Sequence, residues 1–453
     1  MSSTIDRLRR LNHLRPKSKP RQEEPILPAP LKPTSPNNSE LSENAVRLED
    51  AIPGQVVENR AGTCYLHTRT YALHHVLATH ENQPIKIGDL LIHQPATYAP
   101  FHTNFGLGDQ SDFRHAAFID TETTGLGGGA GVYCFMVGVG LFDQETEQFI
   151  VHQLFMRNPS EEGALLVCLT ELLRGCTMTV TFNGRTFDLA LLRTRLSQNP
   201  ALFAAENSLK TLFAPDNAHL DLLMPARRLW RRRIGSCRLI HLEEAILGLQ
   251  RSQDDVPGHL IPALYTEYVY SGDASQMGNV FYHNHQDILT MVALAHRQCE
   301  VLGKSPVDHL CEMQPGLDWL ALGQWYEKLG KIEDAEVAYG HALKKVSEPD
   351  AQADLFRSLG QLQKRQESWE AATGTWQRWL SSVPGNEPTP YIELAKYCEW
   401  QAKDLEQAKM WAQWALHNLT TLPHHQRRKW QSQIADLEHR LARIERKLSL
   451  KNF

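Results

Sequence analysis

Ala116-Ala117-Phe118-Ile119-Asp120-Thr121-Glu122-Thr123-Thr124-Gly125 decides the fold: four apolar residues run into two carboxylates one residue apart, and a glycine closes the stretch. A short unbroken apolar run ending in turn chemistry predicts a buried strand. Side chains alternate along a strand, so Asp120 and Glu122 share a face and aim at one spot. Two converging carboxylates repel, and a divalent cation is the economical remedy, because Mg²⁺ is held by one or two carboxylates together with substrate phosphate oxygens. A surface acid pair in a turn is the competing reading of these two residues alone.

Outward from this strand, Tyr133 to Phe142 and Gln148 to Phe155 read as two further strands with no helix between them, an antiparallel meander. Leu165 to Leu173 has helical spacing, Thr177 to Phe182 returns as a strand closed by Asn183-Gly184, and Phe187 to Leu196 reads as the next helix. The expectation is an α/β domain over 111–303 with a mixed sheet, three strands in a meander and then parallel strands with helices. Short β-type runs such as Thr63 to Leu66 and Leu90 to Ile92 predict a small β-rich lead-in over 56–110. Residues 1–55 read as a disordered basic tail: they are rich in proline, and the first 25 residues hold seven Arg and Lys against three acids.

The chain's 453 residues carry 47 Lys and Arg against 52 Asp and Glu, a net charge of -5, so any nucleic-acid contact must be local rather than a polycationic coat. The eight cysteines include no pair spaced two apart, which argues against a zinc ribbon or disulfide scaffold and fits a reducing cytoplasm. No apolar run approaches the roughly 20 residues of a membrane span.

From 315 to 420 the chain turns helical and repetitive. Ala335, Ala371 and Ala408, and Leu343, Leu380 and Leu416, recur every 36 or 37 residues. Leu322-Gly323, Tyr326, Leu329-Gly330, Ala335, Ala338-Tyr339 and Ala342-Leu343 resemble the tetratricopeptide consensus, so an all-α helical-repeat domain that binds a protein partner is expected. Residues 421–453 read as a basic amphipathic helix, either capping the repeats or forming a coiled-coil seam.

Two more stretches carry chemistry. Asn183-Gly184-Arg185-Thr186-Phe187-Asp188 sets a third carboxylate at a strand end, although an ordinary helix N-terminal acid reads the same way. Tyr282-His283-Asn284-His285-Gln286-Asp287 opens a helix on which His283 and Asp287 share a face. An imidazole ordinarily titrates near 6.5, which suits proton abstraction from an attacking water. A structural histidine is the favoured reading of His285. Between 223 and 242 the arginines Arg227, Arg228, Arg231, Arg232, Arg233 and Arg238 occur without an acid, and Trp230 lies among them. This is a candidate nucleic-acid patch, with arginines neutralising phosphate and the indole stacking on a base, or else a solvated helix face. Asp221 ends another strand-like run and reads as a supporting or sheet-capping acid. The glycine run from Gly125 to Gly131 lacks the Lys-Ser/Thr of a phosphate loop, and a strand follows it.

Together these blocks resemble the DEDD superfamily of metal-dependent exonucleases on a ribonuclease-H-like fold. More narrowly they resemble the bacterial YprB-type family, through Ala226-Arg227-Arg228-Leu229-Trp230, Leu242-Glu243, Asp255-Val256-Pro257-Gly258, Leu260-Ile261-Pro262, Leu264-Tyr265 and His283-Asn284. The resemblance covers about 110 to 300. It implies that Asp120, Glu122, Asp188 and Asp287 hold two Mg²⁺ or Mn²⁺ ions; Asn183 joins the arginine stretch as a candidate contact to the strand. The implied activity is 3′-5′ hydrolysis of single-stranded DNA or RNA, in repair or processing, beside a protein partner such as a helicase. One departure concerns the base: the superfamily places a Tyr four residues before the last acid or a His five before it, whereas here His283 is four before and Tyr282 five before. His283 is the first choice. The rival class is a noncatalytic adaptor that grips nucleic acid and recruits a partner through the repeats.

Overall fold

A computed structural model of the chain describes residues 45–80, 83–93, 112–125, 131–203, 208–252, 254–303, 315–385 and 387–451. The expected tail up to residue 44, the end of the lead-in from 94 to 111 and the glycines from 126 to 130 lie outside the described residues.

Among the described residues, nine strands form two sheets. The larger joins β1 (Gln55–Asn59), β2 (Gly62–Ala72), β5 (Ala116–Thr123), β6 (Cys134–Asp143), β7 (Gln148–Phe155), β8 (Met178–Thr181) and β9 (His219–Asp221) in the order β1-β2-β7-β6-β5-β8-β9. β5, β8 and β9 are parallel and the remaining pairs antiparallel, which is the mixed, meander-first sheet of a ribonuclease-H-like fold. The smaller sheet pairs β3 (Val76–His80) with β4 (Gln83–Lys86). The first part of the lead-in joins the main sheet, because β2 runs along β7 from Tyr65 against Phe155 to Ala72 against Gln148, whereas Leu90 to Ile92, expected as a β-type run, lies in a 3-10 helix (Ile87–Ile92). Leu48 and Ile52, inside the stretch that composition assigns to the tail, are buried in the same core.

Alternation on β5 divides the interior. Ala116 and Phe118 face a core built with Phe142, Phe149 and Ile288, whereas Ala117 and Ile119 face one built with Phe135, Leu165 and Leu192. The second face is covered by α1 (Glu162–Leu172) and α2 (Asp188–Gln198). Helices α3 (Leu223–Ile234) and α4 (Ile261–Ser271) follow, and then α5 (Met277–Gly303) crosses β5 and β6 on the Phe118 face. α5 lies close there because both strand positions beneath it are glycines: a methyl on Gly138 would meet Asn284 Oδ1 at 2.3 Å, and one on Gly140 would meet Ile288 Cγ2 at 2.7 Å.

Among the described residues the longer helices that follow are α6 (Gly316–Lys328), α7 (Ile332–Lys345), α8 (Pro349–Arg365), α9 (Trp369–Ser382), α10 (Thr389–Trp400), α11 (Leu405–Thr420) and α12 (Gln431–Lys451). They pack in successive pairs, α6 with α7, α8 with α9 and α10 with α11. Where the first two pairs cross, Gly323 lies under Tyr339 and Gly360 under Trp376, each glycine 37 residues from the other. The repeat register differs by one residue from the sequence expectation. Ala335, Ala372 and Ala408 are the fully buried set, and Ala371 is exposed, because the helix face that packs begins one position later in α9. α12 packs on α11 with Leu437 and Ile444 buried, so it caps the helical stack.

No helix among the described residues is long and apolar enough to cross a membrane.

Candidate active site

Pairing on β5 explains how the first two acids come free. β8 bonds β5 only from Ala116 to Phe118, leaving the strand's last turnings open on that side, while β6 continues along the other as far as Thr123. Asp120 and Glu122 continue the face of Phe118 and lie under α5, across from Gly138 and Met136. Thr121 points the other way. Its open N–H and its hydroxyl both donate to Asp188 Oδ1, the N–H at 3.1 Å and the hydroxyl at 2.5 Å, so the first residue of α2 is tied to the exposed strand edge.

α5 brings the rest. Asn284 is buried between the two layers: its Nδ2 donates to Asp120 Oδ2 at 2.8 Å, and its Oδ1 accepts from Gln153 Nε2 at 2.9 Å. His283 and Asp287 flank it on one helix face, with His283 Nε2 3.7 Å from Asp287 Oδ2. His283 Nδ1 lies 2.7 Å from Asp255 Oδ1. A carboxylate only accepts, so in the short bond to Asp255 the ring donates through Nδ1, which also lies 3.4 Å from Arg251 Nη1, and Nε2 is the nitrogen that faces Asp287. The orienting of a base by a third group is the arrangement on which general-base sites are built. Tyr282 is engaged elsewhere, its hydroxyl accepting from the Ser252 N–H at 3.0 Å.

Burial, then the charges of Asp287 and Asp188, push Asp120 well above the usual carboxylate range. Burial and then Asp120, Asp287 and Asp188 do the same to Glu122. Asp188 is pushed up to about 6, mainly by burial, against the pull of its Thr121 bonds. Burial also raises Asp287, opposed by His283 and Arg251. Asp120 and Glu122 therefore feel the charge of the other acids, and burial opposes ionisation at all four. Among the described residues, no three His, Cys, Asp or Glu side chains are drawn together as a ready metal cage. Asp120, Asp188 and Asp287 are each held by a protein partner, respectively Asn284, Thr121 and Arg251. The donor set is nonetheless all oxygen and strongly anionic, which fits Mg²⁺ or Mn²⁺ and not a soft metal.

A family model described as the RNase_H superfamily matches residues 117–298. The chain is 31% identical over 339 residues to uncharacterized protein YprB of Bacillus subtilis (strain 168), spanning 73% of this chain and 75% of that one. The chain belongs to the YprB-type ribonuclease-H-like family. Its membership places a nuclease-type fold around the acids, and members of that superfamily generally use divalent metals.

In this YprB-type chain the supporting residues are the less visible part. Asp221, at the end of β9, accepts from the backbone N–H groups of Asn183 at 2.8 Å and Leu223 at 3.1 Å. It thereby holds the loop before Asp188, where Asn183 takes a left-handed φ of 66°. Arg251 reaches Asp287, Asp255 and Glu243 together. Sequence reasoning missed Arg251 and Gln153 altogether, and it noted Asp255, Glu243 and Asn284 only through resemblance. His285 is structural, as expected: it is buried, bonded to the Tyr71 hydroxyl at 2.7 Å, and lowered by burial to about 3.

The arginine stretch is corrected in part. Trp230 is only 1% exposed, inside the core that runs from the sheet to Trp319 and Trp325, so it has no face to offer a base. Arg233 pairs with buried Asp318 at 2.8 Å, Arg232 pairs with Asp354 at 2.6 Å, and Arg228 lies over the Trp325 ring. These groups fasten α3 to α6 and α8. Arg227, Arg228, Arg231, Arg232 and Arg238 remain exposed, and Arg233 is half-buried. The C-terminal helix is used similarly, since Arg440, Arg443 and Lys447 converge on Glu399, whose side chain is fully buried.

Proposed function

We propose that the chain is a divalent-metal-dependent nuclease that hydrolyses nucleic-acid phosphodiesters, working from the 3′ end of single strands. The observation that carries this reading is that Asp120 and Glu122 feel the charges of Asp188 and Asp287, acids from two other stretches, beside a histidine whose Nε2 faces Asp287. Asp120, Glu122, Asp188 and Asp287 would hold the cations, two by the family's pattern. Bound there, Mg²⁺ or Mn²⁺ supplies water of lowered pKa and neutralises charge on the scissile phosphate. His283 Nε2 accepts the proton of the attacking water, and Asp255 keeps the ring in the required tautomer. Asn284 and Gln153 keep Asp120 turned to the site. Phe187 is 54% exposed immediately before Asp188 and offers a stacking face to a terminal base. Asn183 and Arg185 line the same loop toward the strand backbone.

The test is digestion of 3′-labelled and 5′-labelled single-stranded DNA and RNA with Mg²⁺ or Mn²⁺, comparing wild type with Asp120→Asn and Asp287→Asn. The reading expects stepwise release of the 3′ label by wild type and a loss of at least roughly 100-fold in each variant. Wild-type activity in both variants removes it. An adaptor reading has one observation in its favour: three of the acids already have protein partners and so persist without a cation. Metal-independent strand binding with no hydrolysis of any substrate selects that reading.

A further inference from the structure

Arg251 follows a π-helical turn, Glu243–Leu247, and a left-handed Gly248, and its side chain is only 8% exposed. One edge of the guanidinium is committed to Glu243, with Nε donating to Oε2 at 2.7 Å and Nη2 to Oε1 at 2.6 Å. Glu243 is itself fixed, accepting from Thr290 Oγ1 at 2.6 Å, and Thr290 lies on the helix that carries Asp287. A two-bond fork of this kind sets direction as well as energy. The outer edge reaches the site: Nη2 also donates to Asp287 Oδ1, and Nη1 lies 3.4 Å from Asp255 Oδ2. One oxygen of Asp287 is thus taken by the arginine, while the other, Oδ2, stays on the side of His283 Nε2.

We propose that Arg251 is a positioning residue for this site: anchored on Glu243, it orients Asp287 so that Oδ2 alone is presented to a divalent cation, and through Asp255 it steadies His283. The inference rests on the nuclease reading above and adds a residue to it. Mere charge would act in the opposite sense, because a cation beside the carboxylates repels a second cation. Fork geometry and charge therefore separate cleanly, since lysine keeps the charge and loses the fork.

The experiment is titration of the full chain with Mn²⁺, followed by the electron paramagnetic resonance signal of the free ion. The variants are Arg251→Met, Arg251→Lys and Glu243→Gln, with near-ultraviolet circular dichroism confirming that each is folded. Partners of metal ligands are typically worth roughly 10 to 100-fold in affinity, so both arginine variants are expected to bind Mn²⁺ more weakly by about that factor. Glu243→Gln, which frees the anchor and keeps the arginine, is expected to move the same way and carries the test if Arg251→Met does not fold. Wild-type affinity in Arg251→Lys, or tighter binding in Arg251→Met, overturns the proposal. Asp287→Ala separates the failures. If it abolishes a Mn²⁺ site that Arg251→Lys leaves intact, only the arginine's role falls; if wild type binds no Mn²⁺, the nuclease reading falls with it.

Discussion

Replacing Gly138 by alanine perturbs the site without touching a charged residue. The new methyl would stand 2.3 Å from Asn284 Oδ1, 2.8 Å from Nδ2 and 2.9 Å from Cγ. Asn284 is not a loose surface chain that swings aside. Its oxygen accepts from Gln153 at 2.9 Å and its nitrogen donates to Asp120 at 2.8 Å, and both partners are on the sheet beneath. Overpacking of a tight core costs about 1–3 kcal/mol. A buried polar group orphaned as Asn284 retreats adds about 1–3 kcal/mol. The expected loss is about 3 kcal/mol, read from urea unfolding with an unchanged slope. The decisive comparison is a double-mutant cycle with Asn284→Ala, which opens the space the methyl needs. The pair should be scarcely less stable than Asn284→Ala alone, giving a coupling of about 3 kcal/mol. Strictly additive losses, or a Gly138→Ala loss below about 0.5 kcal/mol, would refute the packing argument.

Two of the three remaining outcomes follow from the charges, and the third from an exposed ring. Asp188, Asp120, Glu122 and Asp287 are raised in the folded chain, so the metal-free protein binds more protons than the unfolded chain and loses stability as pH rises through the window that for Asp188 runs from 3.8 to about 6. Mn²⁺ competes with those protons, and differential scanning fluorimetry should show a larger Mn²⁺-induced rise in melting temperature at pH 7.5 than at pH 5; a larger rise at pH 5 contradicts the assignment. Glu399 is lowered to about 2 by Arg443, Lys447 and Arg440 acting against burial, so the hold on α12 is present above the ordinary carboxylate value of 4.5 and is lost as pH falls toward 2, seen as faster amide exchange in α12. Phe187→Ala should weaken single-strand binding by about 1–3 kcal/mol in fluorescence anisotropy while leaving Mn²⁺ affinity unchanged.

Much of the fold was legible because it depends on short-range pattern. The apolar run ending at Asp120 and the two strands after it carry their own signals, and alternation alone puts Asp120 beside Glu122 on the α5 face. Arg251 was not legible: it lies 36 residues from Asp287, and only the packing of the π-helical turn against α5 brings the two together. The arginine stretch misled for a physical reason. A helix face that meets phosphate and one that meets Asp318, Asp354 and Trp325 have the same composition, and those partners lie 85 to 122 residues away for the two ion pairs. Trp230 did carry a usable signal. Leu223, Ala226, Leu229 and Trp230 follow helical spacing and form the buried face, which takes the indole away from solvent.

Anomalous diffraction from crystals of the chain grown with Mn²⁺ tests the central claim most directly. The account predicts a manganese peak beside Asp120, Glu122 and Asp287 that is absent from crystals of Asp120→Asn. Manganese elsewhere, with no peak at these carboxylates, would contradict it.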